Sequence, residues 1–314
     1  MDQLAEAGAP GSAAPRTDPD YALGVVLVAL AGVFWSTGGI LIRWIEAADA
    51  WQIIFYRSLS LAAALLLIVG MRHRGRLIAA FAAAGRGGLL AGACLAGGFV
   101  GYVLALEHTS VANAVFMLGA SPFFVAVLSY WALGERVRAA TWLAMVIALS
   151  GIALMVAGGL IIGTIAGNLL ALAASVSFAG FNVLLRRGRH ADMMPCVVIA
   201  GVIAAAVAGV AVAVEAGTSS GFVLGARDLG LCMAMGAGQV GLGLTLLTLG
   251  ARHVPAVELA LLAMTELVLA PLWVWLGVGE VPSVYTLVGG AIIMSAISFQ
   301  ALSGVRRRRL PPMV

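Results

Sequence analysis

Residues 249–282 read LGARHVPAVELALLAMTELVLAPLWVWLGVGEVP. From Val254 to Gly277 the run is apolar apart from Glu258, Thr265 and Glu266. As a helix rising 1.5 Å per residue, it extends about 36 Å and covers the ~30 Å hydrocarbon core of a bilayer. Glu266 lies about 12 residues in, roughly 18 Å deep. A charged carboxylate at that depth costs on the order of 2.5–3.5 kcal/mol on insertion scales. It has to face a cavity, pair with an arginine or carry a proton.

Nine similar runs accompany it, at 22–44, 50–70, 87–106, 110–132, 139–158, 163–185, 194–214, 228–250 and 283–303. They are continuous blocks, not the alternating ten-residue segments of a membrane β-barrel. Composition agrees. The chain of 314 residues is 62% hydrophobic and 10% charged, with mean hydropathy +1.06. Soluble domains run at about 45–50% apolar and about 25% charged. The expected fold is therefore an all-α integral membrane protein of ten transmembrane helices.

Side-chain chemistry excludes several classes. All 18 basic residues are arginine. Without lysine there is no Walker A loop and no Schiff-base site. The four histidines are scattered, and Cys94, Cys196 and Cys232 sit in apolar stretches without CxxC spacing. We read the cysteines as small buried hydrophobes. No metal site, no cofactor and no catalytic residue is expected. A membrane-embedded enzyme lacks any nucleophile–base spacing here, and a nucleic-acid partner has no basis.

Arginine placement gives orientation. With the N-terminus inside, fifteen of the eighteen fall on inner segments, and Arg43 and Arg227 fall outside. Arg57 is left within a run. The expected topology is N-in and C-in, with Arg306 to Arg309 as an anchor at the inner leaflet.

The quoted stretch also has an earlier copy. Residues 104–137 read LALEHTSVANAVFMLGASPFFVAVLSYWALGERV. A shift of 145 aligns His108 with His253, Gly134-Glu135 with Gly279-Glu280, Thr141 with Thr286 and Ser150 with Ser295. A fainter echo at 143 sets Leu41-Ile42-Arg43 on Leu184-Leu185-Arg186. The expected organisation is a disordered cytoplasmic tail (1–20), a first five-helix repeat (21–158), a second (159–304) and a basic cytoplasmic tail (305–314). Five is odd, so the second half inserts upside down relative to the first, the inverted-repeat plan of secondary transporters. We expect Gly134 and Gly279 to cap helix ends. Glu135 and Glu280 should then complement the start of the next helix.

Ten runs in two halves, with these fourth-span motifs and Phe55-x-Arg57 in the second run, resemble the drug/metabolite transporter superfamily in its EamA branch. The resemblance covers about 22–303. It implies a ten-helix permease of the bacterial cytoplasmic membrane that moves a small molecule by alternating access. Export of amino acids or related amphipathic metabolites is the implied function. Uptake of a vitamin or choline-like compound is the alternative, and a channel a more distant one. Members often carry Pro directly after the mid-span polar residue. The fourth run keeps this as Ser121-Pro122, whereas the ninth has Glu266-Leu267 with its proline at Pro271. The two halves are therefore expected to bend differently.

Eight residues are candidates for the pathway. Glu266 is a substrate-amine or proton site, or else a partner of Arg57 or Gln239. Glu258, one turn from the inner end, has Asn113 as its equivalent. Both are polar linings, and Glu258 equally suits a helix N-terminus. Arg57 is a charge-pair or gating residue, an anchor for a substrate carboxylate, or a side chain that snorkels outward. Gln239 lies among Gly236, Gly238, Gly241 and Gly243, which permit close helix approach; an interhelical hydrogen bond is its other reading. Gly92, Gly97, Gly98 and Gly101 play the same part in the third run. Trp35 and Phe178 fall at equivalent places in runs 1 and 6. The resemblance implies that those spans line the cavity, giving an aromatic wall with Tyr102. Trp273 and Trp275 suit the interfacial belt. Protons are a candidate coupling ion, and a homodimer is compatible with this reading.

Overall fold

In lipid every backbone N–H and C=O needs an internal partner, so apolar runs of this length become helices. The computed structural model describes residues 19–109, 111–157, 165–215, 221–279 and 281–307, and no strand occurs among them. Most of the tail expected over 1–20, together with Glu280, Arg308 and Arg309, lies outside the described residues. Among the described residues ten helices are long and apolar enough to cross a membrane. We number them α1 (Asp20–Arg43), α2 (Ala50–Arg72), α3 (Leu77–Leu106), α4 (Asn113–Leu133), α5 (Ala139–Val156), α6 (Ile165–Arg187), α7 (Met194–Val214), α8 (Ala226–Gly250), α9 (Ala256–Val278) and α10 (Val284–Ser303). Large apolar side chains such as Trp131, Ile165 and Val214 point outward. That is the exposure a lipid-facing surface requires.

Helix ends follow local chemistry. α2 opens on a capping box: the Asp49 carboxylate accepts from the Gln52 amide at 2.8 Å, and Gln52 Oε1 accepts from the Asp49 amide at 3.0 Å. α4 and α9 each end on a left-handed glycine, Gly134 at φ +68° and Gly279 at φ +79°.

Hydrophobicity does not hold helices together in lipid, so small residues let them approach closely. α2 packs on α7, α5 on α10, α3 on α6 and α7, and α8 on α1 and α2. A methyl at Gly92 would meet the Cys196 carbonyl of α7, and one at Gly98 would meet the Phe178 ring of α6. In α8, Gly236 lies on the Arg57 carbonyl and Gly243 on the Trp35 indole. Gly238 has nothing within 4 Å and takes no part in this packing.

Several helices are interrupted. α1 breaks at Thr37, and α8 holds a π-helical turn at Met235–Val240. α4 and α9 break at Ala120 and Met264, one residue apart under the 145 shift, each with ψ −8°. Matching bonds flank the two breaks. Ala120 N donates to Met117 O at 3.2 Å and Phe123 N to Ala120 O at 3.0 Å. Met264 N donates to Leu261 O at 3.1 Å and Leu267 N to Met264 O at 3.0 Å. α4 and α9 therefore break alike, against the expectation from the displaced proline. In α9 the Thr265 hydroxyl takes the Leu262 carbonyl at 2.8 Å, and Gly32 of α1 packs on the broken turn.

Polar groups tie the two ends of the bundle. At the end carrying most of the arginines, Arg186 bonds Glu135 at 3.2 Å and the Ala251 and Arg252 carbonyls at 3.0 and 2.9 Å. Arg138 reaches the Ser303 carbonyl, and His73 reaches Asp192 at 3.0 Å. Glu135 thus serves a buried guanidinium, not the start of α5, because a desolvated charge needs a counter-charge first. Both ends of the described chain lie here. At the opposite end the Asp228 carboxylate accepts from the amides of Glu46, Ala47 and Ala48, and Arg227 pairs with Glu46.

Candidate functional site

Arg57 is the eighth residue of α2, about 10 Å along the helix from its start. Close seating of α8 against this turn carries the π-helix. Gly236 contacts the Arg57 carbonyl, and the Ser60 hydroxyl takes the Met233 carbonyl at 2.7 Å. Such π turns recur at functional sites. The Arg57 guanidinium lies over the Phe99 ring of α3, with Cζ 5.2 Å from the centroid. Phe99 meets Phe178 of α6 edge to face at 6.0 Å and 71°. Tyr102, one turn beyond Phe99, packs beside Ala105, Ala114 and Ala171.

Glu266 follows the α9 break directly. It lies within electrostatic range of both Arg57 and Tyr102. Among the described residues Glu266 makes no hydrogen bond and no ion pair, and Arg57 makes no ion pair. Two opposite charges and three aromatic rings thus share the interior, yet the charges do not close on each other.

A second group adjoins this one. The α1 break at Thr37 loosens the helix after Trp35, and Gln239 Nε2 donates to the freed Trp35 carbonyl at 2.9 Å. Gln239 Oε1 is buried with no partner among the described residues. Trp35 itself covers Gly243. Gly32, one turn earlier on α1, touches Thr265 and the Glu266 backbone. α1 therefore joins the two groups.

The remaining candidates lie apart, toward opposite ends. Glu258 is 4% exposed. It accepts from the Tyr21 hydroxyl at 2.6 Å and lies 3.9 Å from Arg138. Asn113 Nδ2 donates to Thr109 Oγ1 at 3.1 Å, and that hydroxyl donates to Asn168 at 3.1 Å. The first joins α9 to α1, and the second joins the start of α4 to α6. Trp273 also departs from expectation: its indole donates to Ser36 at 2.8 Å, so it is pinned against α1, while Trp275 stays exposed.

Phe99 is the interior residue that sequence reasoning missed. Its only signals are its place beside Gly98 and three residues before Tyr102. The three cysteines are free, and Cys196 and Cys232 are buried, as their apolar settings suggested.

Comparison with known proteins follows this geometry. A family model described as EamA-like transporter family matches residues 22–157. The pseudopaline exporter CntI of Pseudomonas aeruginosa strain UCBPP-PA14 is 30% identical over 287 residues, 87% of this chain and 94% of that protein. The exporter of the same name from strain PAO1 aligns to the same extent. A chain in a solved crystal structure superposes with TM-score 0.72 at 19% identity, covering 91% of this chain and 99% of that one, which speaks to fold alone. The chain belongs to the EamA-like transporter family of the drug/metabolite transporter superfamily and is a multi-pass membrane transporter.

Proposed function

We propose that the chain exports a small zwitterionic, partly apolar metabolite, of the amino-acid type, across the bacterial cytoplasmic membrane. One observation carries this reading: Arg57 and Glu266 share the interior, flanked by Phe99, Phe178 and Tyr102, without an ion pair between them. Each charge in the bilayer interior costs on the order of 2.5–3.5 kcal/mol. A solute carrying both a carboxylate and an ammonium offsets both costs at once. Its apolar part then lies on the aromatic wall. Gln239 Oε1, buried and unpaired among the described residues, is a further acceptor for the solute's N–H or O–H groups. The 30% identical relatives are exporters by name, which supports the direction.

The same reading makes 21–158 and 159–304 two repeats inserted in opposite senses, with the arginine-rich end cytoplasmic. The alignment at 145, the matching breaks in α4 and α9 and the pairing of α3 with α6 and α8 with α1 support it. Glu258 with Tyr21 and Arg138 then ties the cytoplasmic end. Asn113, Thr109 and Asn168 tie the other. Glu266 is the group through which a proton couples.

The test is counterflow of labelled amino acids in proteoliposomes. Glu266→Gln is expected to lower exchange of zwitterions by about 10- to 100-fold and to remove its pH dependence. Arg57→Gln is expected to abolish exchange of solutes bearing a carboxylate. Unchanged flux and pH profile in both variants would overturn the proposal.

A further inference from the structure

The connection between α2 and α3 has no part in the transport site, yet its build is unusual. Arg74 and Gly75 are both left-handed, at φ +52° and +78°. For a residue with a Cβ that conformation costs roughly 1–2 kcal/mol. α3 then starts at Leu77 with Arg76 as an N-cap that makes no side-chain bond, and it kinks at Gly85, φ +56°. The kink sets residues 77–84 apart from the rest of α3 as a short segment whose Ile78 is 89% exposed.

Two shallow apolar grooves, open to the surface, flank this turn and meet at Gly75 and Leu77. One, of about 650 Å³, is walled by Leu66, Leu67, Gly70, Met71 and Leu77, with Arg74 as its charged group. The other, of about 610 Å³, runs along Leu77, Ile78 and Ala82, with Arg76 as its charged group. Arg74, Arg76 and Arg86 are exposed and have no acidic partner among the described residues, whereas Arg72 faces Asp192 at 4.0 Å.

We propose that this turn is a binding site for one anionic diacyl phospholipid. The phosphate lies between Arg74 and Arg76, and one acyl chain fills each groove. Charge decides the class of lipid. Two arginines without an acidic partner among the described residues, one lining each apolar groove, complement a headgroup of net negative charge, and each basic group near such a surface contributes about 1 kcal/mol. The paired grooves decide for a lipid over a free anion, because inorganic phosphate leaves both apolar walls bare. The left-handed turn holds neighbouring arginines to opposite grooves, which an ordinary helical turn does not.

The experiment uses the full chain in detergent. Binding of phosphatidylglycerol, phosphatidylcholine and inorganic phosphate is read by native mass spectrometry and by thermal shift. Phosphatidylglycerol is expected to bind at least tenfold more tightly than phosphatidylcholine and to raise the melting temperature. Arg74→Gln/Arg76→Gln should remove that preference. A control, Arg306→Gln/Arg307→Gln, should keep it. Gly70→Leu fills the first groove without touching backbone, since a Cβ there meets only Leu77 at 3.7 Å. It should weaken phosphatidylglycerol severalfold with the arginines intact. The proposal fails if phosphate alone matches the phosphatidylglycerol shift. It fails equally if the control loses as much as the double variant, or if Gly70→Leu changes nothing.

Discussion

α4 breaks at Ala120 and α9 at Met264, each with ψ −8° and the same pair of flanking backbone bonds, and each ends on a left-handed glycine. After the break, α4 continues Ser121-Pro122, whereas α9 continues Thr265-Glu266. Toward their starts, α4 places Asn113 in a chain of neutral hydrogen bonds and α9 places Glu258 under Tyr21 and Arg138. The two stretches thus share a break and a glycine end, while the charge is confined to one of them. Packing and main-chain bonds set where each helix bends. Solute chemistry needs a group at one place only, and a second buried carboxylate would double the desolvation cost.

The sharpest way to break this comparison is to neutralise the charged copy. Glu266→Gln is expected to lower transport by about 10- to 100-fold, the loss of a charge-assisted bond of about 1.5–3 kcal/mol. Ser121→Ala, at the neutral copy, should stay within about twofold, a few tenths of a kcal/mol. Equal losses in proteoliposome flux would show that both breaks carry the solute.

The ends come next. Removing one partner of a buried pair costs several kcal/mol, but Arg138 is partly exposed and its charge is screened. Glu258→Gln is therefore expected to destabilise by about 2 kcal/mol. Asn113→Ala should cost about 1 kcal/mol, one neutral hydrogen bond. Thermal melts in detergent test the order, and the reverse order would sink the idea that the charged copy bears the larger structural cost.

The same end also responds to acid. Burial raises the Asp192 carboxyl, but hydrogen bonds from His73 and the Met194 amide, with Arg72 nearby, more than offset it and hold the group below the usual carboxylate range. A depressed folded value means the stabilisation is complete above the unfolded value and is lost as pH falls through the folded one. Acid should therefore lower the melting temperature below about pH 4. Asp192→Asn should remove that slope and cost about 1 kcal/mol at neutral pH. An acid slope that survives in Asp192→Asn would place its origin elsewhere.

What could be read beforehand follows the same division. Lipid as solvent shapes whole segments, so the ten runs, the side richer in arginine and the glycine ends of α4 and α9 stand out in the residues themselves. Glu266 stands out as well, because a carboxylate is rare at that depth. Phe99 does not, since a phenylalanine in an apolar run looks the same whether it faces lipid, core or a guanidinium. The π-helix at Met235–Val240 depends on Gly236 meeting a carbonyl of α2, and Trp273 depends on a hydroxyl of α1. These are contacts between distant segments and leave no local pattern. The displaced proline in α9 misleads for a related reason: the break lies where Gly32 of α1 packs, a contact that the residues of α9 do not reveal.

That last point yields the smallest effect and the finest discrimination. If Pro122 causes the α4 break, Pro122→Ala restores an N–H and an intact helix, a gain of up to about 3 kcal/mol. If packing causes it, as in α9 where Thr265-Glu266 follows Met264 and the proline comes only at Pro271, the break stays and stability shifts by no more than about 0.5 kcal/mol. Gly119 lies against Ile152 of α5 at the α4 break, as Gly32 of α1 lies against Thr265 at the α9 break, so each site is already shaped by a neighbouring helix. The small shift is the expected result, read from thermal melts together with hydrogen exchange at Phe123. A large gain with a newly protected amide would mean that the two helices reach one geometry by different causes.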